Sequence, residues 1–270
     1  MQLALLSLVT AVSLTVASLG CGGTPPPAGP PTPAPAVNVA PDPPGPAVAE
    51  LVEPARIDPW EGEAILRDNG GGPLPITTRD PTKGPDGALV TVVVFSDYQC
   101  SACAFYAKYL DEVRAAAPSP IRLVHKNYPL HSHPKARAAA EAATAVLVIG
   151  GPAAFWPYYH RLFAQQHLLD DGRYLAWAAE LGISAEQFRA VQARPVVPAK
   201  VAADRALGEQ LGVNGTPYVF ANCRALGDLE AIGQLIAEEH RSAEQAVATG
   251  VAPRDIYEHR CRANVKPASP

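Results

Sequence analysis

No lysine or arginine precedes Arg56. Charge is sparse throughout, at 18% of 270 residues, and nearly balanced at 22 basic against 26 acidic, for a net −4. No basic stripe stands out. That argues against a nucleic-acid partner and against electrostatic docking on an anionic membrane surface. Cysteine is scarce too, five in all, and the odd count means that at least one thiol does something other than pair with a sibling. What the chain has in plenty is proline, 29 residues, and apolar mass, 48% of the composition, enough for a sizeable core in one or two domains.

The run Leu3 to Leu19 carries no charge and ends at Ser18-Leu19-Gly20-Cys21. It sits at the lower edge of the ~17–25 residues that span a bilayer and reads better as the apolar region of a signal peptide over residues 1–20. Small residues before a cysteine, followed by a polar linker, resemble the lipobox of bacterial lipoproteins, in which the cysteine is acylated. Ser18 stands where that family has leucine, and no basic residue comes first. The resemblance implies lipidation at Cys21, with the membrane touched by that anchor only. A plain secreted protein and an uncleaved anchor are the alternatives, and all three put the rest of the chain outside the cytoplasm. Eleven of the 22 residues from Pro25 to Pro46 are proline. Proline fixes φ and donates no hydrogen bond, so residues 21–55 are expected to be an extended spacer, roughly 70 Å of it at ~3.1 Å per residue.

Residues 56–270 carry the periodic patterns of a folded domain. Ala88 to Phe95 is a β-branched apolar run of strand length. It leads through Ser96-Asp97-Tyr98-Gln99 to Cys100-Ser101-Ala102-Cys103. A helix is expected over Ala104 to Ala117, with Phe105, Tyr109, Leu110 and Val113 on one face, then a second strand over Ile121 to Val124. The middle is helical: Ala136 to Val148, stopped by Gly150-Gly151-Pro152; Phe155 to Phe163; Tyr174 to Leu181; a helix opened by the Ser184/Gln187 capping box; and Pro198 to Leu211. Asn214 to Phe220 is a tight turn into a strand, and a long helix runs from about Leu226 to Ala248.

The chemistry follows from Cys100. A free thiol titrates near ~8.5, so only a few per cent is thiolate at neutral pH. At a helix N-terminus the orphan N–H groups and the dipole stabilise the anion. A second cysteine three residues on, one helical turn away, can then attack a mixed disulfide and release the partner. A lone CxxC is also half of a zinc site. Zinc needs four ligands, though, and His125, His131 and His133 stand at no zinc-finger spacing. A redox dithiol is therefore favoured over structural zinc or an inert disulfide.

The run Phe95 to Cys103 resembles the DsbA-like branch of thioredoxin-fold thiol:disulfide oxidoreductases. So do Lys126 to Leu130, His133-Pro134 before an alanine-rich helix, Phe155-Trp156 with Tyr159-His160, and Gly215-Thr216-Pro217, all in the family's order. The resemblance implies an α/β thioredoxin-like fold with a helical insertion, about residues 134–211, between its βαβ and ββα halves, and a C-terminal extension over about 249–270. It implies that Cys100 is the nucleophile and Cys103 the resolving thiol. Pro217 would be a cis-proline facing Cys100, and Thr216 would offer backbone hydrogen bonds to a substrate strand. Many thioredoxin-fold enzymes carry an acid six residues before the nucleophile, which helps move protons at the resolving thiol. Here that position is Val94.

His133 is expected to act as the residue opening its helix, Phe155, Trp156, Tyr158 and Tyr159 as core and groove lining, and His160 as a hydrogen-bonding residue within the insert. Once Cys21 is acylated and the CxxC paired, Cys223 and Cys261 remain, and in an oxidising compartment a structural disulfide between them is favoured. The expected function is thiol:disulfide exchange on cell-envelope proteins with cysteine thiols or disulfides. It needs an unidentified redox partner but no cofactor or metal, and is carried out by a monomer. Ser101-Ala102 adds no charge or imidazole beside Cys100, and oxidase or partner-specific reductase is preferred over isomerase. The competing reading is a non-catalytic envelope lipoprotein that uses the thioredoxin fold as a binding module, perhaps for metal.

Overall fold

The computed structural model describes residues 72–265. The signal peptide, Cys21 and the proline-rich linker lie outside the described residues. At the centre is a five-stranded sheet in the order β1-β3-β2-β4-β5, built from β1 (Thr82–Lys83), β2 (Val90–Ser96), β3 (Ile121–Asn127), β4 (Tyr218–Ala221) and β5 (Arg224–Ala225). Only β2 and β3 run parallel, joined by α1 (Ser101–Ala116); every other pairing is antiparallel. This is a thioredoxin-like α/β arrangement. Between β3 and β4 come four helices, α2 (Ala136–Ala164), α3 (Asp171–Glu180), α4 (Ala185–Gln192) and α5 (Val196–Gln210); after β5 come α6 (Ile232–Ala248) and α7 (Ile256–Asn264).

All seven residues of β2 are buried, as expected for a strand covered on both faces. Val92 and Val94 pack toward α1, α2 and α6 in the main core with Cys103, Leu110, Tyr159 and Ile236. Val93 and Phe95 face the opposite layer, with Leu74, Ile76, Tyr128 and Phe220. There α5 comes so close that a Cβ on Gly208 would meet the Tyr128 ring at 2.7 Å, which only glycine avoids.

Several boundaries differ from the sequence reading, each for a physical reason. The strand expected to end at Val124 continues through His125, Lys126 and Asn127, all buried. Polar residues there are tolerated because each finds a partner inside. Lys126 Nζ sits 2.7 Å from Asp80 Oδ2. Lys200 Nζ joins Asp80 Oδ1 at 2.9 Å and Asp204 Oδ1 at 2.5 Å, and Asp204 accepts from the Asn127 amide groups. Two lysines thus balance two aspartates inside the protein and tie the segment before β1 to β3 and α5. The carboxyl of Asp80 is held below the carboxylate range: Lys200 and Lys126 together outweigh the upward push of burial.

The glycine-rich break falls where expected: α2 is two helical segments that meet across a kink at Gly151. Gly151 takes φ 62° and ψ −163°, and the helix resumes at once with Pro152 in its first turn, where a missing N–H costs nothing. On α1, Phe105 does not belong to the buried face. The helix begins at Ser101, directly after Cys100, and its buried residues are Cys103, Tyr106, Ala107 and Leu110, leaving Phe105 72% exposed. The final long helix starts at Ile232 rather than near Leu226, because Arg224–Ala225 pair with β4 and Leu229–Ala231 form a 3-10 turn first. The Ser184/Gln187 capping box is present.

Candidate active site

The two cysteines of the CxxC meet where β2 gives way to α1. Cys100 is the N-cap of α1 (φ −75°, ψ 119°), and its carbonyl accepts from the Cys103 and Ala104 amides. No acidic side chain occupies the first turn, so nothing offsets the helix dipole there. Cys100 is half-buried; Cys103, one turn on, is 1% exposed. Both are free thiols.

The two sulfurs differ sharply in acidity. The Cys103 thiol donating to Cys100 is the largest influence on it. With Thr216 and the backbone N–H groups of Cys103 and Ala102 it outweighs burial and brings Cys100 down to about 5. Burial, reinforced by the same pairing, pushes Cys103 far above the thiol range. One cysteine is therefore a thiolate at neutral pH and the other a protonated thiol. This is the division of labour that an attacking and a resolving sulfur require.

Across the site the Thr216-Pro217 peptide bond is cis, and the Thr216 carbonyl lies 3.3 Å from Cys100 Sγ, where it accepts from Cys100 in the protonated thiol form. The structure thus brings Cys100, Cys103, Thr216 and Pro217 together. Asp97 secures the turn: its buried carboxylate accepts from the Gln99 amide (2.7 Å) and the Leu130 amide (2.8 Å) and lies 2.8 Å from His133 Nδ1, while its own N–H points at Cys103 Sγ at 3.5 Å. His133 therefore binds the redox turn rather than simply opening α2. His160 packs on Tyr159 within the insert and also reaches Asp111 on α1, at 3.4 Å. Phe155, Trp156, Tyr158 and Tyr159 are buried in the core beside the site.

Beneath the CxxC, Val94 is 2% exposed and shares the Cys103 cluster; its register partners are His125 on β3 and Val219 on β4. Burial holds the His125 imidazole down to about 3, so it stays neutral. Its Nε2 lies 3.3 Å from the Tyr98 hydroxyl and 3.4 Å from Asn127 Oδ1, and it packs against the Tyr98, Phe155 and Tyr159 rings. Sequence reasoning missed this group and the Asp80–Lys126–Lys200–Asp204 set. The available signal was a run of polar residues directly continuing an apolar strand, with Lys200 and Asp204 at helical i, i+4 spacing.

Cys223 and Cys261 lie apart from the CxxC, on the opposite layer, joined as a disulfide with Cα atoms 4.8 Å apart. Asn222 and Cys223 form a two-residue hairpin with both φ positive, 45° and 66°. The Asn222 side chain holds that turn by accepting from the Thr91 amide and donating to the Leu89 carbonyl. No three His, Cys, Asp or Glu side chains converge on a metal-sized site among the described residues.

The family model for the DSBA-like thioredoxin domain matches residues 91–235, more than half of the chain. This chain belongs to that family. Among solved structures, oxidised BdbD from Bacillus subtilis superposes with a TM-score of 0.57 at 22% identity, over 64% of this chain and 100% of that one. A thioredoxin-like oxidoreductase from Silicibacter pomeroyi DSS-3 gives 0.53 at 27% identity, over 65% and 95%. A curated relative, the Na(+)/H(+) antiporter NhaA of Herminiimonas arsenicoxydans, is 34% identical over 148 residues, which is 54% of this chain and 23% of that protein. The chain thus spans less than a quarter of that relative's length, and the shared stretch is about as long as the family domain.

Proposed function

We propose that this protein is a thiol:disulfide oxidoreductase that exchanges disulfides with cysteine-containing proteins outside the cytoplasm. Cys100 attacks and Cys103 resolves. The observation that carries the reading is the acidity split within one CxxC at a helix N-terminus, opposite Thr216 and Pro217. In the oxidising direction a client thiolate attacks the Cys100–Cys103 disulfide at Cys100. Cys103 leaves and takes up a proton. A second client thiolate then attacks the client sulfur of the mixed disulfide and releases Cys100 as a thiolate. Two client thiols become one disulfide, and the protein is left as the dithiol, to be reoxidised by a redox partner.

We infer the oxidising direction from the form that the site favours. A thiol that ionises near pH 5 stabilises the dithiol at pH 7 by up to about 2.7 kcal/mol over an unperturbed one. Cys100 is half-exposed, so solvent screening reduces this to about 1–2 kcal/mol. That makes the couple about 20–45 mV more oxidising, which favours oxidase over reductase. Incubating the oxidised protein with a reduced, unfolded client and counting client thiols lost is the test; no loss would refute the reading.

Location outside the cytoplasm is supported by the apolar run Leu3 to Leu19 and by the Cys223–Cys261 disulfide, since structural disulfides belong to oxidising compartments. We further propose that Cys21 carries the lipid and residues 21–55 form the stalk. Intact mass of the mature protein should show acylation at Cys21; an unacylated chain beginning elsewhere would leave a soluble secreted enzyme.

A further inference from the structure

Gln166 takes no part in the exchange chemistry, yet its side chain lies on the redox turn. It follows α2 in the helical insert and begins the short 3-10 turn Gln166–Leu168. Its Nε2 donates to two carbonyls at once, Tyr98 O at 2.8 Å and Cys100 O at 2.8 Å. A primary amide nitrogen carries two N–H donors, and both partners are acceptors only, so chemistry fixes which end of the amide faces the turn. The turn is otherwise held from below. The Asp97 carboxylate takes the Gln99 amide, Cys100 N–H donates to Asp97 O, and the Tyr98 hydroxyl meets His125. Gln166 thereby joins this turn to the segment that links α2 to α3.

We propose that Gln166 is a positioning residue of the redox site, clamping the Tyr98 and Cys100 carbonyls so that the nucleophile and the helical insert form one unit. The proposal rests on the exchange reading above. The physical consequence is electrostatic as well as mechanical. Cys100 O belongs to the sulfur's own residue and Tyr98 O lies two residues before it, so the Gln166 N–H groups on these oxygens bring partial positive charge toward the sulfur. Removing the clamp makes Cys100 harder to ionise and lets the turn relax away from Thr216. The groups facing Cys100 that share in its titration are Cys103, Thr216 and the backbone N–H groups of Cys103 and Ala102.

The test is Gln166→Met, which keeps the shape and removes both donors, with Gln166→Asn as the shorter amide that retains them. Thiolate absorbance of the reduced full chain is titrated against pH, alongside the reduction potential. The expected result for Q166M is a roughly threefold fall in the ionisation constant of Cys100, the size of losing one ordinary hydrogen bond's worth of polarisation. The potential should become more reducing, the protein should stay folded with a somewhat lower thermal midpoint because two part-buried carbonyls lose a donor, and Q166N should lie between Q166M and the wild type. A Q166M titration superimposable on wild type, in a folded protein, overturns the clamp while leaving the exchange reading intact. A wild-type Cys100 that does not ionise below neutral pH overturns both.

Discussion

Replacing Val94 with glutamate tests how the proton reaches and leaves Cys103. Val94 is 2% exposed, in the cluster that contains Cys103 and beside a His125 that stays neutral. A carboxyl added there has no charged partner and stays protonated well above its usual ~4.3. If burial lifts it by about three units, the variant is destabilised at pH 7 by roughly 3–4 kcal/mol, because the unfolded chain ionises and the folded one resists. The deficit shrinks as pH falls toward 4, where both states hold the proton. Crowding adds about 1–3 kcal/mol. The cost lies within reach of a typical domain's stability of about 5–15 kcal/mol, so the variant should fold but melt early. The assay is the rate at which a mixed disulfide on Cys100 is resolved, read against pH. In the wild type the rate should climb steadily with pH, since burial keeps Cys103 protonated through the accessible range. V94E should show a new inflection where its carboxyl titrates; Val94→Gln, of like size without the proton, should not. Superimposable profiles for folded V94E and wild type would show that position 94 does not communicate with Cys103.

The reduction potential should fall with rising pH by about 59 mV per unit below pH 5, where two protons accompany two electrons, and by about 30 mV per unit above it, where Cys100 is already a thiolate. Equilibration against dithiol buffers from pH 4 to 8 checks this, and one 59 mV slope through pH 7 would contradict it. His125 makes the fold acid-sensitive. Its folded value of about 3 lies below that of the unfolded imidazole, so stability is complete above pH ~6.5 and falls by up to about 1.4 kcal/mol per unit as pH drops toward 3. Urea unfolding of His125→Phe at pH 7 and pH 5 should lack that share of the slope; an unchanged slope would remove His125 as its source.

The legible parts of this protein were those written in local pattern. β2 is β-branched and bounded by a turn, the capping box spaces Ser184 and Gln187, and the CxxC follows a strand, so the βαβ unit and the position of the redox turn could be read directly. The insert's helices are legible as periodicity, and Gly150-Gly151-Pro152 marks the point where the backbone leaves helical geometry at Gly151. The illegible parts depended on residues far apart in sequence. Lys126 reads as lying beyond the strand because its partners, Asp80 and Asp204, come from the chain before β1 and from α5. Gln166 lies 66 residues from the Cys100 carbonyl it holds and belongs to no spacing rule. Phe105 falls outside the core because apolar periodicity alone does not say which of two adjacent apolar faces the core takes.

The division of roles between the two cysteines is the core of the account, and covalent trapping reads it most directly. Cys103→Ser removes the resolving thiol and should accumulate mixed disulfides between Cys100 and client proteins, seen as non-reducing adducts that dithiothreitol releases. Cys100→Ser should form none and should abolish dithiol exchange. Adducts on the Cys100→Ser variant with none on Cys103→Ser would reverse the assignment, and adducts on neither would contradict exchange at this site.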